Sequence, residues 1–393
     1  MYSLRTQRLM TGNEAVAYAV KQADVDFIAA YPITPQTIIV ERLSEYVASG
    51  EINAEFVPVE SEHSALSACI GASLSGARVF TSSSAQGLAL MHEVMYIASG
   101  LRCPIVMAVA NRALSAPLNI HGDHSDIMGS RDSGWVQIFC ENPQEVYDYT
   151  IQAFRLAEHP DVLLPVTVNL DGFTVSHSSE PVAVLEDSVV KEYLPRHERP
   201  RLDYYSPASF GVFALPTHYF EFKVEQEKAL RKAGDVFNEV AAAYPDEAGR
   251  LVKLDKVNSD GRIALVCMGG TTGTLRHVLK QSASREFSLI SLKLFTPFPS
   301  KEILEALSDA EGVVVMDRAT SPGAPLPPLA SNIVASLYEA GINIPVLSVV
   351  YGLGGREPTL RLIREMLEKA KERLRTVKVR VNRMYLGYRG EER

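Results

Sequence analysis

From Pro104 to Ala110 the chain reads PIVMAVA, seven residues without a charge, and Asn111-Arg112-Ala113-Leu114-Ser115 follows at once. A strand that is apolar on both faces is buried on both faces, as in a parallel sheet covered by helices. The same alternation extends outward. On the amino-terminal side the spacing predicts helices over 13–23, 36–48, 61–74 and 85–99 and strands over 25–30, 55–59 and 77–81. On the other side it predicts a helix over 144–158 and a strand over 162–169. Regularity fails from about 173 to 260, where Pro181, Pro195, Pro200, Pro207 and Pro216 interrupt it and only a long charged helix over about 221–243 stands out. A second alternating unit follows, with strands over 262–268, 287–294, 312–317 and 345–351 and helices over 271–281, 301–309, 325–340 and 359–374. The expected class is α/β, two parallel-sheet domains. The boundaries read 1–175 for the first unit, 176–260 for an irregular linker with a long helix, 261–375 for the second unit and 376–393 for a basic carboxyl-terminal arm.

A length of 393 residues fits two such domains, and 46% apolar with 22% charged residues fits a globular chain with substantial cores. No apolar run reaches the roughly 18 residues of a membrane span, and MYSLRTQRLM carries charge without the apolar core of a secretory signal, so a cytoplasmic protein is expected. Cys69, Cys103, Cys140 and Cys267 are scattered, with no CxxC and no iron–sulfur spacing, and read as buried thiols. The net charge of −8 argues against nucleic-acid binding. The carboxyl terminus differs: from Arg361 to Arg393 eleven Lys/Arg face five Asp/Glu, which fits a solvated helix followed by an extended arm, or an arm that docks on an acidic partner.

Ligands of open parallel sheets bind beyond the carboxyl ends of the strands. Five stretches fall there. Tyr31-Pro32-Ile33-Thr34-Pro35 presents Thr34 on a rigid turn, either toward a ligand or as a helix cap. Val59-Glu60-Ser61-Glu62-His63-Ser64 sets two carboxylates at a helix start, as dipole partners or as a proton-sharing acid–base group. Ser82-Ser83-Ser84-Ala85-Gln86-Gly87 is a small polar loop that offers amides to a ligand or caps a helix. Arg112 lies directly after a buried strand, where a guanidinium can take a carboxylate with two parallel bonds. Asn119-Ile120-His121-Gly122-Asp123-His124-Ser125-Asp126 reads as a substrate-facing polar loop rather than a metal site, so no metal is expected on this chain. There is no P-loop, GxSxG or GxGxxG, and hence no support for phosphoryl transfer or serine hydrolysis.

Read together, YPITPQT (Tyr31 to Thr37), VESEHSA (Val59 to Ala65), SSSAQGLALMHE (Ser82 to Glu93), NRALSAPLNIHGDHSD (Asn111 to Asp126) and RDSGW (Arg131 to Trp135) resemble, in order and spacing, the α subunits of thiamine-diphosphate-dependent 2-oxoacid:ferredoxin oxidoreductases, above all the pyruvate type. LPVTVNLDGF (Leu164 to Phe173), FTPFP (Phe295 to Pro299) and VYGLGGRE (Val350 to Glu357) extend the resemblance over nearly the whole chain. The resemblance implies a pyrimidine-binding first domain and a second domain like the carboxyl-terminal domain of transketolases. Glu62 matches the glutamate that pairs with the thiamine pyrimidine and promotes its imino form. Thr34 and Arg112 match the holders of the substrate's carboxylate and oxo group. Tyr31, Ile33, His121, Asp123 and His124 fall on the substrate side, and Pro32, Ser84 and Gln86 line the pyrimidine pocket. The implied reaction is oxidative decarboxylation of pyruvate with coenzyme A, electrons passing through [4Fe-4S] clusters to ferredoxin.

The chain has no GDG followed by Asn, the diphosphate and magnesium signature, and no cluster cysteines. The resemblance therefore implies that a β subunit carries the diphosphate and Mg, and that γ and ferredoxin-like δ subunits, or fused equivalents, carry the clusters. Two alternatives remain open: the same chemistry on a branched or aryl 2-oxoacid such as 2-oxoisovalerate or phenylglyoxylate, and a non-catalytic assembly subunit. An oxalate-type relative would carry a basic residue at the Thr34 position, and a self-sufficient decarboxylase or transketolase would need the missing diphosphate site.

Overall fold

The computed structural model describes residues 5–257, 261–281, 286–376 and 381–390. A strand β1 (Arg5–Met10) leads into α1 (Gly12–Gln22), which starts at a capping box: Thr11 Oγ1 accepts from the Glu14 N–H and the Glu14 carboxylate accepts from the Thr11 N–H. There follow β2 (Phe27–Ala30), α2 (Thr37–Ala48), β3 (Glu55–Pro58), α3 (Glu62–Leu74), β4 (Val79–Ser83), α4 (Ala85–Leu90), α5 (His92–Gly100), β5 (Ile105–Asn111), α6 (Ser125–Met128), β6 (Val136–Cys140), α7 (Pro143–Glu158) and β7 (Val166–Asp171). The strands β3-β2-β4-β5-β7-β6 lie side by side in that order and all run parallel, so their carboxyl ends share one edge. All residues of β4, β5, β6 and β7 are buried, as expected of strands apolar on both faces.

The middle of the chain is more ordered than its prolines suggest. A strand β8 (Glu180–Leu185) pairs antiparallel with β1, and α8 (Asp187–Tyr193) and α9 (Pro216–Ala242) follow. The second unit comprises β9 (Leu254–Val257), β10 (Ile263–Cys267), α10 (Thr271–Gln281), β11 (Phe287–Leu292), β12 (Leu294–Thr296), α11 (Ser300–Ala306), β13 (Gly312–Asp317), α12 (Pro328–Glu339), β14 (Val346–Val350), α13 (Leu360–Thr376) and β15 (Val381–Tyr385). Its sheet has the order β15-β14-β13-β10-β11-β9, parallel throughout except for β9.

Besides the unannounced strands β1 and β6, four features differ from the sequence expectation. The helix expected over 85–99 is two, α4 and α5, meeting at Met91. The strand expected over 287–294 divides at Lys293, and β12 leaves the second sheet to pair antiparallel with β6 of the first. The reason is electrostatic as well as apolar: Lys293, 1% exposed, reaches Glu141 (3.1 Å) and Glu145 (2.7 Å), while Leu294 and Phe295 are buried. The carboxyl-terminal arm is not wholly extended into solvent, since β15 adds a parallel edge strand beside β14. The linker carries β8 and α8 in addition to its long helix.

On one side the two sheets share a core. Met91, Trp135 and Phe139 of the first unit pack in a single apolar cluster with Ala264, Ile290 and Val313 of the second. Trp135 is fully buried with its Nε1–H donated to the Met95 carbonyl (2.9 Å), so the largest side chain of the cluster is hydrogen-bonded as well as packed. The four cysteines are buried and unpaired, and burial pushes the thiols of Cys69 and Cys267 up to about 12. No helix among the described residues is long and apolar enough to cross a membrane.

Candidate active site

The shared edge of the first sheet collects the segments that follow β2, β3, β4 and β5. After β2 the chain turns through Tyr31, Pro32, Ile33 and Thr34. Thr34 is exposed and does not cap α2, whose N-cap is Gln36 without a side-chain cap bond. The turn is pinned from below: Gln36 Nε2 donates to the Tyr31 carbonyl (2.8 Å) and Asn13 Nδ2 to the Pro35 carbonyl (2.8 Å). Tyr31 and Pro32 stand at the open rim, with Ile33 half-buried beside them.

After β3, Ser61 caps α3 by accepting from the Ser64 N–H (3.2 Å). Glu62 is then the first residue of α3, where the helix dipole favours a carboxylate. Its side chain is buried at 6% exposure and makes no hydrogen bond among the described residues. The neighbouring Glu60 is exposed and is held below the usual carboxylate range by the Ser64 hydroxyl. The two glutamates of VESEHS therefore separate cleanly, one solvated and one turned in.

What Glu62 faces is the loop after β4. A Cβ on Gly87 would collide with Glu62 Oε1 and lie 2.7 Å from Ser83 Oγ, so glycine here leaves that carboxylate its place and a larger residue would displace it. Beside it the Ser83 hydroxyl is buried without a partner, and in the same segment the Ser82 hydroxyl and the Gln86 amide nitrogen are likewise unpartnered. Buried polar atoms are normally hydrogen-bonded, and a cluster of exceptions beside an unpaired carboxylate marks a place for a polar ligand. Ser84 is engaged otherwise: its hydroxyl donates to the Ala110 carbonyl (2.7 Å) and ties β4 to β5. Ala85 holds a left-handed φ of 45°, fixed by donation of its N–H to Asp126 Oδ2 (3.0 Å).

After β5, Arg112 lies 7% exposed with Nη1 donating to the Thr34 carbonyl (2.9 Å) and Nε to the Asn119 carbonyl (3.1 Å). Nη2 has no partner among the described residues, leaving two donors for a carboxylate beside the exposed Thr34. Burial lowers the Arg112 pKa from its ordinary value and the nearby Asp126 opposes that shift. Asp126 is the hub that sequence reading placed merely on the substrate loop. It accepts from the Arg112 and Ala85 N–H groups and from Asn111 Nδ2 (2.9, 3.0 and 3.1 Å), joining the Gln86 loop to the Arg112 loop. Burial nevertheless pushes its carboxyl up to about 6.

The structure thus brings Thr34, Glu62, Gln86 and Arg112 to one strand edge and divides the remaining loop residues. His121 is exposed at the rim, its ring 5.4 Å from that of Phe173. Asp123 and His124 lie beneath the loop, away from solvent. Asp123 accepts from the Ser125 hydroxyl (2.6 Å) and the Gly354 N–H (3.0 Å), and His124 Nε2 pairs with Asp171 Oδ1 (2.6 Å). Both tie the loop to partners far away in sequence, and His124 Nδ1 stays buried without a partner. Gly87, Asp126 and Asp171, which shape this edge, were not singled out in the sequence; only Gly87, next to Gln86 in a Ser-rich turn, left a local signal. No group of three or more His, Cys, Asp or Glu among the described residues could hold a metal ion.

Comparison with known proteins identifies the family. Residues 18–242 match the thiamine-diphosphate-binding region of pyruvate flavodoxin/ferredoxin oxidoreductases, and residues 261–363 match core domain II of pyruvate:ferredoxin oxidoreductase. The pyruvate synthase subunit PorA of Thermotoga maritima is 47% identical over 92% of this chain and 93% of its own length. The subunit of the same name from Methanocaldococcus jannaschii is 43% identical over 93% and 96%. The ketoisovalerate oxidoreductase subunit VorA of Pyrococcus horikoshii is 37% identical over 93% and 94%. Among solved structures, the 2-oxoglutarate:ferredoxin oxidoreductase of Magnetococcus marinus superposes with a TM-score of 0.71 at 17% identity, covering 92% of this chain and 65% of that one. At that identity the likeness is one of fold.

Proposed function

This chain belongs to the pyruvate flavodoxin/ferredoxin oxidoreductase family, and from that premise we propose that it is the α subunit of a thiamine-diphosphate-dependent pyruvate:ferredoxin oxidoreductase, supplying the pyrimidine and substrate half of an active site that a partner chain completes. The net reaction takes pyruvate, coenzyme A and two oxidised ferredoxins to acetyl-CoA, CO2, a proton and two reduced ferredoxins. The observation that carries the reading is Glu62, a buried and unpaired carboxylate at a helix start, facing Gly87 and the unpartnered Ser83 hydroxyl in a segment where the Ser82 hydroxyl and the Gln86 amide are unpartnered too.

Those residues fit the pyrimidine of thiamine diphosphate: a carboxylate to share a proton with a ring nitrogen, and an amide donor beside it. When bound, the cofactor supplies the nucleophilic carbon and the electron sink. Glu62 holds a proton at its carboxylate oxygen against the ring. Pro32 and Ser84 shape the walls, and Gln86 Nε2 donates. Arg112 Nη2 takes the substrate carboxylate while Thr34 Oγ1 donates to the 2-oxo group, fixing which carbon faces the cofactor. Tyr31, Ile33 and His121 close the rim against water. Asp123 and His124 act through the loop that carries His121.

In this reading residues 1–175 form the pyrimidine and substrate domain, 261–375 a transketolase-like carboxyl-terminal domain, and 176–260 and 376–393 the joining and trailing segments. A β subunit brings the diphosphate and Mg site, while γ and ferredoxin-like δ subunits, or their fused equivalents, bring [4Fe-4S] clusters, consistent with a chain that lacks GDG and cluster-spaced cysteines. The assembly works in the cytoplasm. A branched 2-oxoacid is the second reading, favoured by the ketoisovalerate relative at 37% identity.

The test is to purify the assembled complex and assay coenzyme-A-dependent viologen reduction without oxygen, offering pyruvate, 2-oxoisovalerate, 2-oxoglutarate and phenylglyoxylate. Preference for pyruvate in a multi-chain, iron-containing complex is expected. Preference for 2-oxoisovalerate would establish the second reading, and no 2-oxoacid activity in a cofactor-loaded complex would overturn both.

A further inference from the structure

The motif VYGLGGRE and the residue Arg318 play no part in the half-site described above, yet both reach it. Arg318 follows β13 directly and is 2% exposed overall. Its Nη1 donates to Asp171 Oδ2 (3.0 Å), at the end of β7 in the first unit, and its Nη2 donates to the Gly122 carbonyl (3.1 Å) and contacts Glu357. The Arg318 carbonyl accepts from the His124 N–H (2.9 Å), and His124 in turn pairs with Asp171. The second unit also presents the amino end of α10, where the Gly270 N–H donates to Asp171 Oδ2 (2.9 Å).

The outer wall of the same loop is Gly352 to Gly355. The Gly354 N–H donates to Asp123 Oδ2 (3.0 Å), and the Gly354 carbonyl accepts from Asn119 Nδ2 (3.1 Å). A Cβ on Gly354 would lie 2.5 Å from that Asn119 amide, and one on Gly355 would strike His121. Left-handed φ values of 58° and 78° make glycine the fitting residue at both positions on conformational grounds as well. The inner wall is Gly172, whose carbonyl would lie 2.6 Å from a Cβ on Gly122. The loop from Asn119 to His124 is thus clamped between the two units, and Asn119 passes the constraint on by accepting from Arg112 Nε.

We propose that Arg318, from the carboxyl-terminal unit, is a positioning residue for 2-oxoacid recognition, locking the loop Asn119 to His124 through Asp171 and so setting the orientation of Arg112. Arg318 touches neither substrate nor cofactor. This rests on the assignment of Arg112 to the substrate carboxylate, and it gives the second unit a part in substrate affinity rather than in assembly alone.

The test uses the assembled complex carrying Arg318→Met, with Glu357→Gln as a milder variant that leaves the Arg318–Asp171 pair in place. Two quantities are read: backbone hydrogen exchange of the peptide spanning 113–126, and KM against kcat for the preferred 2-oxoacid. The expected result is faster exchange confined to that peptide and its contacts, with KM raised about three- to thirtyfold by Arg318→Met while kcat changes less. Glu357→Gln should move both in the same direction by a smaller factor. Should Arg318→Met fail to assemble, the Glu357→Gln pair of readings decides the matter. Unchanged exchange in the loop, or a fall in kcat with KM unmoved, overturns the proposal. If the parent complex turns over no 2-oxoacid, the functional reading fails separately, and loop exchange alone decides whether Arg318 holds the loop.

Discussion

The two parallel sheets of this chain end in opposite ways. In the first, the carboxyl edge is left open: Glu62 has no partner, Gln86 and two serines present buried unpaired atoms, and Arg112 keeps Nη2 free. In the second, the corresponding edge is plugged. Asp317, at the end of β13, accepts from the Leu329 and Ala330 N–H groups (2.8 and 3.1 Å) and caps α12, while Arg318 and the glycines after β14 grip the loop of the first unit. One architecture therefore serves an open polar edge in one unit and, in the other, an edge that grips its neighbour even though the Thr271 and Thr272 hydroxyls and Arg318 Nε there lack partners. An edge holding unpaired buried groups is costly to the fold and is maintained where a ligand will satisfy them.

The contrast can be broken most severely at Glu62. Glu62→Gln keeps shape and burial but removes the proton-sharing carboxylate, so turnover of the complex should fall roughly 10²–10⁴-fold with an unchanged thermal midpoint. Comparable activity would place the chemistry elsewhere. Arg112→Ala comes next: losing a charged hydrogen bond worth about 1.5–3 kcal/mol should lower kcat/KM for the 2-oxoacid by roughly 10- to 150-fold. A loss equal for an uncharged carbonyl analogue would count against carboxylate recognition. Gly87→Ala sharpens the claim that glycine makes the room for Glu62; an overpacking strain of about 1–3 kcal/mol should weaken cofactor saturation roughly 5- to 150-fold, read as a shifted thiamine diphosphate midpoint. Saturation at the parental midpoint would show that Glu62 has space to spare.

The smallest effect belongs to the plugged edge. Burial pushes the Asp317 carboxyl up to about 7 from 3.8, despite the two N–H groups it accepts from. The folded state therefore holds a proton that the unfolded chain has released, and this contribution to stability is complete below the unfolded value and lost as pH rises through about 7. Asp317→Asn should flatten the fall in thermal midpoint between about pH 4 and 7 and leave turnover alone. An identical slope in the variant would remove Asp317 from the account.

Much of the fold was legible because the strands that matter are apolar on both faces. PIVMAVA, at 104–110, admits few other readings, and the strand ends it defines place the open edge. The elements that escaped are polar or brief. RTQRLM of β1 is mostly exposed and makes its bonds with β8, more than 170 residues away; β12 is three residues long; β15 lies among basic residues. β6 begins beside Trp135 with Gln137 buried in its interior, so no clean apolar run announced it. Within the site, Glu62, Thr34 and Arg112 stood out because residue type and strand-end position coincide. Asp126, Asp171 and Arg318 did not, since their roles depend on partners 14 to 196 positions away. The partners of His124 and Asp123, Asp171 and Gly354, are just as distant and were not legible either.

The central claim is that the open edge is half of a site. Its most direct test is equilibrium binding of thiamine diphosphate with Mg²⁺ to this chain alone and to the chain assembled with its β partner. The account predicts saturable binding by the assembly and none by the lone chain at the same concentrations. Binding by the lone chain as tight as by the assembly would contradict it.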